Sequence, residues 1–198
     1  MKLRVSNVLI TGGSSGIGLA IAKRLADGGA KVILTGRRES RLLEAQAAIG
    51  ANCAGYLVWD VAEVEKSVEM FRAAQHMMGG LDGLVNNAAL STEAMGRGYE
   101  PWDITPDEWS LLADADLKAP FFLMRDMVDF LRAQRVKGNI LNISSNAACM
   151  DILGPYSTSK LSILKLTRAY GKRFGKDGII INGIAPGATF TPMISSYA

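Results

Sequence analysis

The chain has 198 residues, 48% hydrophobic and 21% charged, with a formal net charge of +3. That length suits one domain, and that balance supplies a large core and excludes extensive disorder. The basic residues, such as Lys23, Arg24, Arg37, Arg38 and Arg41, are scattered rather than gathered into a nucleic-acid tract, and no apolar run is long enough to cross a bilayer.

Short apolar runs alternate with longer amphipathic stretches. VSNVLIT (5–11) reads as a buried strand and GIGLAIAKRLADGG (16–29) as a helix ending in a glycine pair. KVILTG (31–36) predicts a strand, ESRLLEAQAAIG (39–50) a helix, and CAGYLVWDV (53–61) a strand. A helix over 63–80 and a strand with its exit turn over 81–89 follow, then a loop rich in Gly, Pro and Tyr over 90–104. Residues 106–136 read as one long helix, 138–145 as a strand, 156–176 as a helix and 178–187 as a strand with its turn. Each of the first five strands precedes a helix, and the strands are nearly unbroken apolar runs. Both features predict a parallel sheet of six strands covered by helices on both faces, a three-layer, doubly wound α/β fold. There is no repeat, low-complexity segment or linker, so 1–198 reads as a single domain.

The two cysteines, Cys53 and Cys149, lie far apart and outside any CxxC pair, and His76 is the only histidine. This argues against a zinc site and for reduced cytosolic thiols. The N-terminal apolar run stops at a Thr-Gly-Gly turn and lacks the core of a signal peptide. The expected location is the cytoplasm.

The first strand–turn–helix carries TGGSSGIG, Thr11 to Gly18. Gly12 permits a tight turn, while Gly16 and Gly18 let the backbone approach a diphosphate and the helix pack on the sheet. Ser14, Ser15 and Ile17 belong to the same cradle, and the helix N-terminus offers free N–H groups to phosphate. An ordinary Gly-rich turn is the plainer alternative, but the βαβ setting is the one this motif requires. After the second strand, an acidic residue would bind the 2′-hydroxyl of NAD. Here Gly36 is followed by Arg37 and Arg38, which suit a 2′-phosphate and favour NADP(H) over NAD(H). Arg38 also fits a solvated helix start, and Glu39 is near enough to compete. Asp60 with Val61, and Asn86 and Asn87 with Ala88 and Ala89, end the third and fourth strands, where ligands sit in such sheets. Asp60 suits the adenine amino group, and both Asp and Asn are also common turn formers.

TGGSSGIG, NNAA, NISS, YSTSK and APGATFT occur in one order over almost the whole chain. In this the chain resembles a short-chain dehydrogenase/reductase of the single-domain Rossmann type, with 3-oxoacyl-carrier-protein reductases the nearest in general look. The resemblance implies a nicotinamide cofactor and hydride transfer between a carbonyl and an alcohol. It also implies that Lys160 reaches the cofactor ribose, and that Pro186, Gly187, Thr189 and Thr191, with Ile184 nearby, flank the nicotinamide.

The chemistry of Tyr156 and Lys160 supports this independently. They lie at i and i+4, on one helix face. A free phenol has a pKa of about 10, too high for efficient proton transfer at neutral pH. An adjacent ammonium favours the phenolate, and a shift of two to three units requires roughly 3–4 kcal/mol. Tyr156 then acts as general acid in reduction and general base in oxidation. Ser145, at a strand end, suits the substrate oxygen. Ser144 is adjacent, and Ser145 is preferred because the family places its serine second in such a pair.

Three departures stand out. The family asparagine of the long helix aligns with Asp116; its family role runs through the main-chain carbonyl, and Asp114 and Asp116 also fit an exposed helix face. The stretch from Ser145 to Tyr156 is slightly short, and NNAA replaces the commoner NNAG. The family usually continues past TPMISSYA with a lid, a helix and a seventh strand, so a truncated domain with one bare sheet edge is expected. Asp116 and this ending motivate an alternative, a dinucleotide-binding sensor or scaffold. A small-molecule substrate with no nucleic acid or membrane partner is the main expectation. The apolar arc of Leu161, Ile163, Leu164 and Leu166 predicts a homodimer or homotetramer. Met95, Tyr99, Trp102 and Met193 are candidate pocket or packing residues.

Overall fold

The computed structural model describes residues 5–92, 95–97 and 102–191. Six strands form one parallel sheet in the order β3-β2-β1-β4-β5-β6. They are β1 Asn7–Thr11, β2 Lys31–Gly36, β3 Cys53–Val58, β4 Gly83–Asn86, β5 Gly138–Ile143 and β6 Ile179–Ile184. The helices are α1 Gly16–Asp27, α2 Glu39–Ile49, α3 Ser67–Met78, α4 Pro106–Ala113, α5 Ala119–Ala133 and α6 Pro155–Phe174.

The unbroken apolar runs have a simple cause. Successive side chains of a strand point to opposite faces, and here both faces are covered. Leu9 and Ile33 join a core with Phe71 of α3 and Leu123 and Met127 of α5, against which Leu166, Tyr170 and Phe174 of α6 pack. Their neighbours Val8, Ile10, Val32 and Leu34 join a second core with Ala22 and Ala26 of α1 and Leu42 and Ala45 of α2. The three-layer, doubly wound α/β reading therefore holds.

The expected single helix over 106–136 is instead built in three parts. α4 starts at a capping box, in which Thr105 and Glu108 each satisfy the other's backbone N–H, with Pro106 in the first turn. Residues Asp114–Lys118 then form a π-helical turn, in which the Ala119 N–H reaches back to the Asp114 carbonyl, before α5 resumes the α-helix. Such turns rotate the residues that follow and are frequent at functional sites. β1 pairs with β2 on one side and β4 on the other, so the chain reverses its winding direction between β1 and β4. The crevice at the carboxyl ends of these strands is the ligand site of such sheets.

Candidate active site

A cleft of about 830 Å³ opens at that crevice. Its floor is the turn after β1. Gly12 has φ +63°, in the left-handed region, and a Cβ there would stand 2.9 Å from the Ala88 Cα. A Cβ on Gly18 would lie 2.4 Å from both the Gly12 carbonyl oxygen and the Asn87 amide nitrogen. Asn87 fastens this turn: its Nδ2 donates to the Thr11 and Gly12 carbonyls, at 3.0 Å each. Thr11 Oγ1 in turn accepts from the backbone N–H groups of Asn87 and Ala88, again at 3.0 Å. The end of β4 is thus clipped to the end of β1. Asn86 makes a different contact, a buried bond to Asn142 on β5 at 2.8 Å.

A nicotinamide dinucleotide fits this cleft. The Ser15 hydroxyl does not cap α1, so no N-cap side chain occupies the first-turn N–H groups of the helix, which are available to a phosphate. Gly12, Ser14, Ser15, Gly16 and Ile17 line the floor below that helix end. At one end of the cleft stand Arg37, Arg38, Trp59, Asp60 and Val61. Arg37 lies 3.8 Å from Asp60, with side chains 66% and 40% exposed, so water screens the pair and leaves the guanidinium available. Asp60 also accepts from the Ala62 N–H at 3.0 Å, which is the turn-forming role. Glu39 does not border the cleft, and its carboxylate accepts the Tyr56 hydroxyl at 2.9 Å.

The other end is built by β5 and α6. Both serines border the cleft, but they differ in role. Ser144 is buried and donates to the Lys160 carbonyl at 2.8 Å, fixing α6 to the strand end. Ser145 is partly exposed, and its hydroxyl accepts from the Ala147 N–H at 3.2 Å. Pro155 in the first turn of α6 begins the helix so that Tyr156 and Lys160 both border the cleft. The Lys160 ammonium is 5.4 Å from the Tyr156 ring centroid and almost wholly buried.

Asp116 corrects one of the two expectations for its position. Asp114 is on the surface, paired with Lys118 at 3.0 Å, but Asp116 is fully buried. Its Oδ1 accepts the Leu90 N–H at 2.9 Å and lies 3.8 Å from Lys160 Nζ. Burial pushes this carboxyl up to about 6, against the opposing pull of Lys160 and the Leu90 amide.

Of the remaining candidates, Asn87, Ala88, Ala89, Pro186, Gly187, Thr189 and Thr191 border the cleft. Ile184 does not; its backbone carbonyl instead accepts the Ser144 N–H at 2.8 Å. Trp102, 87% exposed, and Met95 also lie off the cleft, while Tyr99 and Met193 fall outside the described residues. Sequence reasoning missed Trp59, Ser91 and Leu111, which border the cleft. Trp59 had a usable signal, since it directly precedes Asp60 at a strand end. The others come from loops and helix faces with no motif of their own.

This fold and site define a nicotinamide-dependent oxidoreductase. A family model described as short chain dehydrogenase matches residues 6–198. Galactitol 2-dehydrogenase of Agrobacterium fabrum is 35% identical over 191 residues, 94% of this chain and 72% of that protein. An A-factor type gamma-butyrolactone 1'-reductase (1S-forming) of Streptomyces virginiae is 33% identical over 195 residues, 96% of this chain and 74% of that protein. A crystal structure of an actinorhodin polyketide ketoreductase variant with NADPH superposes with a TM-score of 0.85 at 27% identity, covering 99% of this chain and 76% of that one. The chain belongs to the short-chain dehydrogenase family and is an NAD(P)-dependent oxidoreductase. The scaffold alternative is not favoured, because these relatives are dehydrogenases and reductases. Among the described residues, no helix is long and apolar enough to cross a membrane.

Proposed function

We propose that this protein is an NADP(H)-dependent oxidoreductase that interconverts a small carbonyl compound and its secondary alcohol, with Tyr156 as general acid and base. One observation carries the proposal: a single cleft has paired guanidinium groups at one end and Ser145, Tyr156 and Lys160 at the other. Arg37 and Arg38 suit a 2′-phosphate, and Glu39, the carboxylate that would favour NAD, lies off the cleft beside Tyr56. When bound, the nicotinamide supplies the hydride in reduction and takes it in oxidation. Tyr156 gives its proton to the carbonyl oxygen in one direction and takes it from the alcohol in the other. Lys160, 5.4 Å from the ring, favours the phenolate in oxidation. Ser145 holds the substrate oxygen as charge develops on it. The related galactitol 2-dehydrogenase and gamma-butyrolactone 1'-reductase support a neutral carbonyl or secondary alcohol as substrate.

The same proposal includes a cytoplasmic location, supported by two free thiols, and a homodimer or homotetramer. Of the predicted apolar arc, Ile163 is buried and Leu166 packs on the core, so the support comes from Leu161 of α6 with Trp109 and Leu111 of α4, which are 54%, 44% and 51% exposed, an apolar surface suited to a second copy. Light scattering that returned only monomer would overturn that assignment. Calorimetric titration with NADPH and NADH tests the cofactor. NADPH is expected to bind more tightly, and Arg37→Ala to weaken it by about 10–100-fold with NADH unchanged, as for loss of charge-assisted bonds. Equal affinities that Arg37→Ala lowers equally would refute the NADP assignment.

A further inference from the structure

We propose that the carboxyl side chain of Asp116, and not only its backbone, is a positioning group of this site: by holding the Lys160 ammonium it sets how readily the Tyr156 phenol releases its proton. The proposal presupposes Tyr156 as the acid–base group.

Asp116 is 0% exposed, and its carboxylate is sparsely satisfied. Oδ1 accepts one N–H, from Leu90, while Oδ2 is buried and has no hydrogen-bond partner among the described residues. Buried carboxylates ordinarily collect several donors, because an unmet polar atom in the interior is costly. An asparagine would accept the Leu90 N–H equally well and carry no charge to desolvate, so a purely structural role does not call for an acid here. What the acid adds is a charge 3.8 Å from Lys160 Nζ. That ammonium is itself 4% exposed, so the two act on each other in a poorly screened setting.

The π turn brings Asp116 to face α6. The groups that face it are the Lys160 ammonium from α6, with Tyr156 one turn earlier, and the Leu90 amide from the segment after β4. On its own turn, Asp114 and Lys118 are at the surface and neutralise each other. Lys160 is thus the charge that Asp116 answers.

Lys160 favours the Tyr156 phenolate. An ionised Asp116 opposes Lys160, so it keeps the phenol protonated to higher pH and favours proton donation to a carbonyl. A protonated Asp116, present below about pH 6, relaxes that opposition.

The test needs neither substrate nor cofactor. Phenolate absorbance of the full chain is titrated against pH, and the Tyr156→Phe titration is subtracted to isolate Tyr156. The same pair is measured in an Asp116→Asn background. The Tyr156 midpoint is expected to fall by about one pH unit on loss of the carboxylate. Asp116→Ser, which keeps an acceptor for the Leu90 amide and cannot ionise, must shift it in the same direction. A midpoint that stays in place or rises in a folded variant overturns the proposal. So does failure of both variants to fold, which would give Asp116 a structural role. A separate assay of carbonyl reduction with NADPH keeps the two readings apart: retained turnover in Tyr156→Phe would sink the assignment of Tyr156, whatever the titration shows.

Discussion

Gly18→Ala sets two effects of opposite sign against each other. Gly18 is in the first turn of α1, where alanine raises helix propensity by up to about 1 kcal/mol. If local propensity decided, the variant would be stabilised. The new Cβ, however, would stand 2.4 Å from the Gly12 carbonyl oxygen and from the Asn87 amide nitrogen. The carbonyl is backbone, pinned in a turn with φ +63° at Gly12, and cannot swing aside as a side chain would. Overpacking of this kind costs about 1–3 kcal/mol. Displacing Asn87 also breaks its two bonds to Thr11 and Gly12, at about 1 kcal/mol each. The net expectation is a loss of about 2–4 kcal/mol, hence a fall in Tm of about 5–15 °C for a chain of this size. Circular dichroism melts measure it, with urea unfolding to check that the transition remains cooperative. An unchanged or raised Tm would mean that the glycine turn yields easily, and would refute the reasoning from close approach.

Two further predictions use other contacts. Ser144→Ala should lower Tm by about 2–4 °C through loss of its buried bond to the Lys160 carbonyl and spare most turnover, while Ser145→Ala, which loses only a half-exposed bond from the Ala147 N–H, should lower Tm no further and cut turnover by about 100-fold or more; the reverse pattern would exchange the roles of the two serines. Arg97 holds Glu108 at 2.8 and 3.0 Å, and together with the Thr105 N–H it pulls that carboxyl down from 4.5 to about 2. A carboxyl lowered in the folded state stabilises above its unfolded pKa and loses that contribution as pH falls through the folded value. The stability gap between wild type and Glu108→Gln, read from urea midpoints, should therefore be full above about pH 4.5 and narrow toward pH 2. A gap that is constant with pH would contradict the ion-pair and cap assignment.

Much of this architecture could be read directly from the chain. The strands announced themselves because residues such as Val8, Leu9 and Ile10 feed two different cores, so no position between them is free to be polar. The glycine turn was legible because its motif records a steric fact, the approach of Gly18 to Gly12. What escaped depends on contacts between distant segments. Nothing near Glu39 indicates that Tyr56, on the next strand, takes up its carboxylate. The π turn shifts the phase of the apolar pattern only once, and a single phase shift within thirty residues does not stand out from an irregular stripe. For the same reason an aspartate between Ala115 and Leu117 reads as surface, although the turn buries it against Lys160. Trp102 misled in the other direction, being a large aromatic residue that lies in solvent.

The central claim is that Tyr156 moves the proton. The most direct measurement compares NADPH-dependent carbonyl reduction by the wild type and by Tyr156→Phe, on samples whose NADPH affinity is known from calorimetry. The account predicts unchanged affinity and a loss of turnover of about 100- to 10,000-fold, the usual contribution of a general acid. Turnover within a few-fold of wild type, with NADPH still bound, would contradict it.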